Sequence, residues 1–333
     1  MQELEAAAAG AAILAEDFLV CKESVTQHCI DDSVAGQRLD NFLMRVLKGV
    51  PKSHVYRILR SGEVRVNKGR RGPEYRLALG DVVRIPPVRV AEKQATGPMQ
   101  SSLLPRIVWR DESMLVLDKP AGQAVHGGSG VSLGIVEQLR EELDARYLEL
   151  AHRLDKETSG LLILCTRRSA LTALHEMLRR GEVHKRYLAL AAGHWRDAKR
   201  NVRLPLLRFE DAEGERRVRV DEAEGQSAHT VFYLQQRYAL GDERLSLLEC
   251  ELLTGRTHQI RVHLSALKHP IAGDTKYGDP ALNRSLRAAG LRRMFLHAAR
   301  LQFRHPLSGE AIDLGAPLPP DLAKFTSLLS VIE

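Results

Sequence analysis

The chain has 333 residues, 44% of them hydrophobic and 27% charged, and carries a net charge of +7. This is an ordinary balance for a soluble globular protein, with enough apolar material for a sizeable core and room for two domains. No apolar run approaches the ~18–20 residues that span a bilayer, the first residues are acidic where a signal peptide would be basic, and the four cysteines (Cys21, Cys29, Cys165 and Cys250) form no C-x-x-C pair. These features predict reduced thiols, a cytoplasmic location and no membrane partner.

The charge is unevenly spread. Residues 36–93 hold 14 Lys and Arg against 5 Asp and Glu, a net +9 that leaves −2 for the rest of the chain. A basic excess confined to one short module is the footprint of a polyanion-binding domain. A basic surface with no partner is the plainer alternative.

In chain order, residues 1–33 open with an Ala-rich patch and no clear period, and read as a poorly ordered leader. Residues 34–90 read as a compact module. Leu39, Phe42, Leu43 and Val46 follow helical spacing, Ser53 can cap a second helix, and Gly62 stops it. Val64–Asn67 and Val82–Ile85 read as strands, the latter ended by Pro86-Pro87. Residues 91–105 are polar, with Gly, Pro and Ser, and read as a linker.

From residue 106 to about 330 a second module follows. Ile107–Trp109 and Met114–Leu117 read as strands, Val125–Gly130 as a glycine-rich loop without the G-K-[ST] of a nucleotide P-loop, and Leu133–Tyr147 as a helix. An Arg-rich helix over 169–180 ends at Gly181, and a charged, Pro-containing stretch over 196–225 reads as an excursion of hairpins. Ala228–Gln235, Leu245–Leu253 and Leu296–Phe303 alternate like strands, and Thr257 can cap a helix running to Lys268. Strands outnumber helices and lack the spacing of βαβ repeats, which predicts an α+β fold with a mixed, mostly antiparallel sheet and flanking helices, preceded by a small α/β module.

Three polar, irregular stretches carry the chemistry. The first is His152-Arg153-Leu154-Asp155-Lys156-Glu157-Thr158-Ser159-Gly160, which runs into the apolar Leu161–Cys165. A charged loop entering a buried strand is a common place for reactive groups, although a loop Asp often only caps a turn. The second is Lys185-Arg186-Tyr187. The third is Gly255-Arg256-Thr257-His258-Gln259-Ile260-Arg261-Val262-His263.

These stretches match H-R-L-D-x-x-T-S-G, K-x-Y and G-R-x-H-Q-[IL]-R-V-H, intact and in order, and so resemble the RluA-type family of pseudouridine synthases over roughly residues 34–320. With the N-terminal region included, the resemblance is closest to the group acting on large-subunit ribosomal RNA, the pseudouridine synthase C group. The N-terminal module, with G-x-V-x-V-N-x in its middle, resembles the S4 RNA-binding domain. Lys52, Ser53, Arg57, Arg60, Arg65, Asn67 and Lys68 would line its basic face and contact mainly phosphates.

The reaction implied by the resemblance moves uracil from an N1 to a C5 linkage with no exchange of atoms or electrons, so no cofactor is expected. A lone carboxylate suits it, either attacking C1′ of the sugar or removing a proton from C2′. Asp155 is the candidate. The resemblance assigns Arg261 to pair with it, Tyr187 to stack on the uracil and take the C5 proton late, and Arg153 to fill the space left by a flipped-out base. The implied partner is 23S ribosomal RNA or a pre-50S particle. His258 and His263 are five apart and fall on different helix faces, so no metal site is expected. A nucleosidase, with Glu157 as second carboxylate, and a non-catalytic RNA-binding factor are the competing readings.

Overall fold

A computed structural model describes residues 24–47, 50, 52–88, 101–127, 134–211 and 214–333. The chain divides into two compact units between Thr96 and Gly97. The readings of residues 1–23, of residues 91–100 of the 91–105 linker and of the glycine-rich loop at 128–130 lie outside the described residues.

In the N-terminal unit, helices Leu39–Val46 and Lys52–Arg60 accompany a three-stranded antiparallel sheet. Val82–Ile85 is its central strand, flanked by Thr26–Cys29 and Arg65–Val66. Leu39, Phe42, Leu43, Val55, Ile58, Val83 and Ile85 form the core, each such side chain contributing about 1.5–3 kcal/mol by leaving water. Two sequence readings are corrected. Thr26–Cys29, expected in an irregular leader, is an edge strand whose polar residues never go deeper than half-buried, so no apolar alternation marks it. Ile30 and Val34 beyond it are core residues. Ser53 lies inside its helix, which already starts at Lys52.

The C-terminal unit is built on an eleven-stranded sheet. Its central path runs Thr230–Leu240, Glu243–Leu252, His184–Ala192, Leu296–Arg304, Ser159–Cys165 and Met114–Lys119. Among the described residues every pairing is antiparallel except that of Leu296–Arg304 with Ser159–Cys165, so the expected mixed, mostly antiparallel sheet is found. Ser159–Cys165 is buried along its whole length, as a seven-residue run with one polar member requires.

Register sets up the site. One row across the sheet runs Cys250, Tyr187, Ala298, Gly160, Lys119. Gly160 has φ +108°, and a Cβ there would stand 2.3 Å from the Ala298 carbonyl oxygen. Only glycine lets the two strands meet in parallel at this point.

The helix expected over 133–147 is limited to Ile135–Glu142, because Asp144 turns left-handed at φ 48°. Arg168–Arg180 ends at the left-handed Gly181. In the 196–225 stretch, Leu206–Glu210 and Arg216–Val220 form a hairpin, whereas Lys199–Val202 joins the main sheet. Cys165 and Cys250 are core residues.

Candidate active site

Asp155 sits in the loop that feeds strand Ser159–Cys165. Lys119, fully buried, fastens that loop from below. Its Nζ donates to the carbonyls of Pro120 (2.8 Å), Lys156 (3.0 Å) and Thr158 (2.8 Å). An ammonium has three protons, and all three are used. Burial pulls the Lys119 pKa down to about 7, while three carbonyl oxygens favour the charged form. Gly122 N–H also donates to the Lys156 carbonyl (2.8 Å), and Thr158 N–H to that of Asp155 (3.1 Å).

Arg261 is the third residue of helix Gln259–Ala266, in the first turn as expected. Its Nη1 donates to Asp155 Oδ2 at 3.1 Å. Its other edge grips Asp274 through Nε (2.8 Å to Oδ2) and Nη2 (2.8 Å to Oδ1), and its guanidinium lies 5.0 Å from the centre of the Tyr277 ring. Burial disfavours the Arg261 charge, but the two carboxylates outweigh it and raise the pKa. Asp274 is likewise pushed up by burial, yet Arg261 and the N–H groups of Lys276 and Tyr277 hold it below the usual carboxylate range. Asp274 follows Gly273, whose φ of +78° and close approach to the Arg293 carbonyl oxygen admit no side chain.

The helix start corrects the reading of Thr257 as cap. The cap position is His258, left-handed at φ 54° and without a side-chain cap bond. The buried Gln259 amide does the fastening instead. It accepts from Arg256 N–H (2.9 Å) and Thr254 Oγ1 (2.8 Å), and donates to the His229 carbonyl (3.0 Å) and Thr230 Oγ1 (2.9 Å).

Asp155, Tyr187, Arg261 and Arg153, singled out in the sequence, all line one cavity of about 480 Å³. Among the described residues Asp155 is its only carboxylate, while Lys185 and Arg256 add to its positive lining. Glu157 is exposed and does not line it. Arg153 is exposed where it lines the cavity. Tyr187 is buried, and burial, followed by the Asp155 charge, pushes its phenol far above its usual range. A buried phenol so placed suits a surface for a base to pack on.

Sequence reasoning missed Lys119, His258, Asp274 and Tyr277. His258 Nε2 lies 3.8 Å from Asp155 Oδ2, although the sequence reading weighed it only as a metal ligand. Asp274 and Tyr277 sit in the polar turn Gly273-Asp274-Thr275-Lys276-Tyr277-Gly278. A charged, aromatic turn flanked by glycines was the available signal.

In the N-terminal unit, Lys52, Ser53, Arg57 and Arg60 are exposed on helix Lys52–Arg60, with Arg65 half-buried on the adjoining sheet. Arg57 is partly engaged by His54 and Glu63. Asn67 is exposed as well and also serves the fold. Its amide donates to Asp81 Oδ1 (2.8 Å) and accepts from Val82 N–H (2.9 Å), so it pins the left-handed turn that presents Lys68.

The chain is similar to known proteins over most of its length. Residues 113–266 match the RNA pseudouridylate synthase family and residues 37–83 the S4 domain. The chain is 49% identical over 321 residues to a ribosomal large subunit pseudouridine synthase C from Pasteurella multocida (strain Pm70), covering 94% of this chain and 97% of that protein. It is 51% identical over 298 residues to the protein of the same description from Escherichia coli (strain K12), covering 87% and 92%. Among solved structures it is similar to Human RNA Pseudouridylate Synthase Domain Containing 1, with a TM-score of 0.56 and 26% identity over 68% of this chain and 88% of that one. A buried arginine holding the one carboxylate of a basic, tyrosine-floored cavity is thus set in a chain that belongs to the RNA pseudouridylate synthase family and carries an S4 domain ahead of its catalytic domain.

Proposed function

We propose that this enzyme isomerises uridines of 23S ribosomal RNA, free or in a pre-50S particle, in the cytoplasm, with Asp155 as the reacting group. The observation that carries the reading is the Asp155 carboxylate, held by Arg261 at 3.1 Å as the sole acid among the described residues lining a basic cavity. A carboxylate beside a guanidinium stays ionised and oriented, as a nucleophile or base must be. It attacks C1′ or takes the C2′ proton as the N1 bond breaks. The uracil turns on the Tyr187 face and C5 bonds to C1′, which either displaces Asp155 from its ester with C1′ or is matched by return of the borrowed proton to C2′; the C5 proton then leaves, and N1 gains a proton. Atoms and electrons balance, and the chain's own residues suffice. Asp155 takes up the C5 proton as it leaves, directly or relayed through the Tyr187 hydroxyl.

Flipping the uridine out of its stack costs a few kcal/mol. Arg153 fills the vacated space, and Lys185 and Arg256 meet the flanking phosphates. In the S4 domain Lys52, Ser53, Arg57, Arg60, Arg65 and Lys68 hold RNA by its backbone, with Asn67 supporting the turn.

The test maps pseudouridine across 23S RNA from cells with the wild-type protein, without it, and with Asp155→Ala. Loss of the same few sites in the last two is expected. Unchanged sites in the cells lacking the protein would refute the substrate, and sites kept by Asp155→Ala would refute the role of Asp155.

A further inference from the structure

The cavity contains a second group aimed at Asp155 to which the reading above assigns no task. His258 Nε2 approaches Asp155 Oδ2, the same oxygen that Arg261 holds. On its other side, His258 Nδ1 lies 2.8 Å from Tyr277 Oη. That hydroxyl oxygen already accepts Val218 N–H at 3.0 Å, so its proton is available to donate. The tautomer in which Nδ1 accepts that proton carries the ring proton on Nε2, facing the carboxylate. The two rings meet edge to face, 5.4 Å between centres, which fixes the imidazole plane.

The backbone at His258 shows that this placement has a cost. Its φ of 54° and ψ of 21° put a non-glycine residue in the left-handed region, which is uncommon for any residue with a side chain. The strain is not repaid by capping, since the side chain makes no cap bond. The ring is also kept neutral. Burial lowers its pKa, Arg261 and Lys276 lower it further, and Asp155 and Asp274 oppose.

We propose that His258 is a positioning residue for Asp155: its Nε2–H, oriented by the Tyr277 hydroxyl, joins Arg261 in anchoring Oδ2, which leaves Oδ1 as the oxygen that reacts with the ribose. The 3.8 Å separation closes to a hydrogen bond when RNA fills the cavity and expels water. The inference rests on Asp155 being the reacting group.

Two substitutions separate this role from a structural one. A glutamine amide nitrogen reaches the place of Nε2; an asparagine amide reaches only that of Nδ1. Asparagine is the residue the left-handed backbone prefers. Turnover is followed by release of tritium from C5-labelled uridine in a 23S transcript. His258→Asn is expected to lower kcat about 10- to 100-fold with KM changed less than about 2-fold, and His258→Gln to recover most of the loss. A purely structural role predicts the reverse ranking. Asn equal to or better than Gln, or both equal to wild type, overturns the proposal. Asp155→Ala is run beside them: if it still turns over, the reading of Asp155 fails as well; if it is inactive, the ranking judges His258 alone. Independently of turnover, the nitrogen spectrum of histidine-labelled protein, with His258 assigned by its loss in His258→Gln, is expected to show the Nε2–H form and to change in Tyr277→Phe. A Nδ1–H form overturns the proposal.

Discussion

Arg261 and Asp274 form the tightest ion pair of the site, two parallel bonds of 2.8 Å each, whereas Asp155 receives only one bond from the same guanidinium. The asymmetry follows from exposure. The Asp274 side chain is wholly enclosed and that of Asp155 is 23% exposed, so Asp274 needs full compensation from the protein while Asp155 stays partly open.

Breaking that pair should damage stability and activity together. Asp274→Ala leaves a buried arginine with half its partners, and about 3–5 kcal/mol of stability should be lost. Arg261→Lys, without the planar fork, cannot serve both carboxylates and should cut kcat at least about 10-fold. Denaturant unfolding and single-turnover rates measure the two effects. An Asp274→Ala protein as stable as wild type would refute the account.

Lys119 should act on turnover without touching RNA. Lys119→Met fills the same space but leaves the Pro120, Lys156 and Thr158 carbonyls without their donor, at a cost on the order of 3 kcal/mol. With the Asp155 loop slackened, kcat should fall while RNA affinity stays within about 2-fold. Equal loss of both would point to general unfolding instead.

His152 makes stability depend on pH. Its Nε2 accepts Ile163 N–H at 3.2 Å, so the ring is neutral. Burial, then the Lys185 charge, brings its pKa from 6.5 to about 3. The unfolded chain therefore binds a proton that the folded chain refuses between those values. The stability contributed by neutral His152 is fully present above about pH 6.5 and declines as pH falls toward 3. His152→Gln should flatten the unfolding free energy against pH by close to one proton in that window. An unchanged slope would show that His152 titrates normally.

In the S4 domain, Arg60, Asn67 and Lys68 are exposed, and Asn67 also ties its turn to Asp81 and Val82. Arg60→Ala with Lys68→Ala should weaken RNA binding and reduce the slope of log affinity against log salt by about 1.5, as expected for two lost phosphate contacts. Asn67→Ala should instead lower the melting temperature. An unchanged salt slope in the double variant would exclude both cations from the interface.

The sequence alone determined the two-module organisation, the mostly antiparallel sheet and the three stretches that converge on the cavity. Those features are written locally, in apolar alternation, in glycine stops and in the segregation of basic charge. Asp155, Tyr187 and Arg261 were legible because each lies in a polar stretch against a buried strand or helix start. The edge strand Thr26–Cys29 was not, because an edge strand with polar residues has no apolar signature of its own. Only the tertiary structure decided what supports the Asp155 carboxylate. Lys119 reads as one more charge beside a proline until the register sets it below the Asp155 loop. Asp274 and Tyr277 are more than a hundred residues from Asp155 and meet it only through Arg261 and His258. Their roles come from burial, which obliges every charge and every amide to find a partner, and burial is a property of the folded chain that no local pattern records.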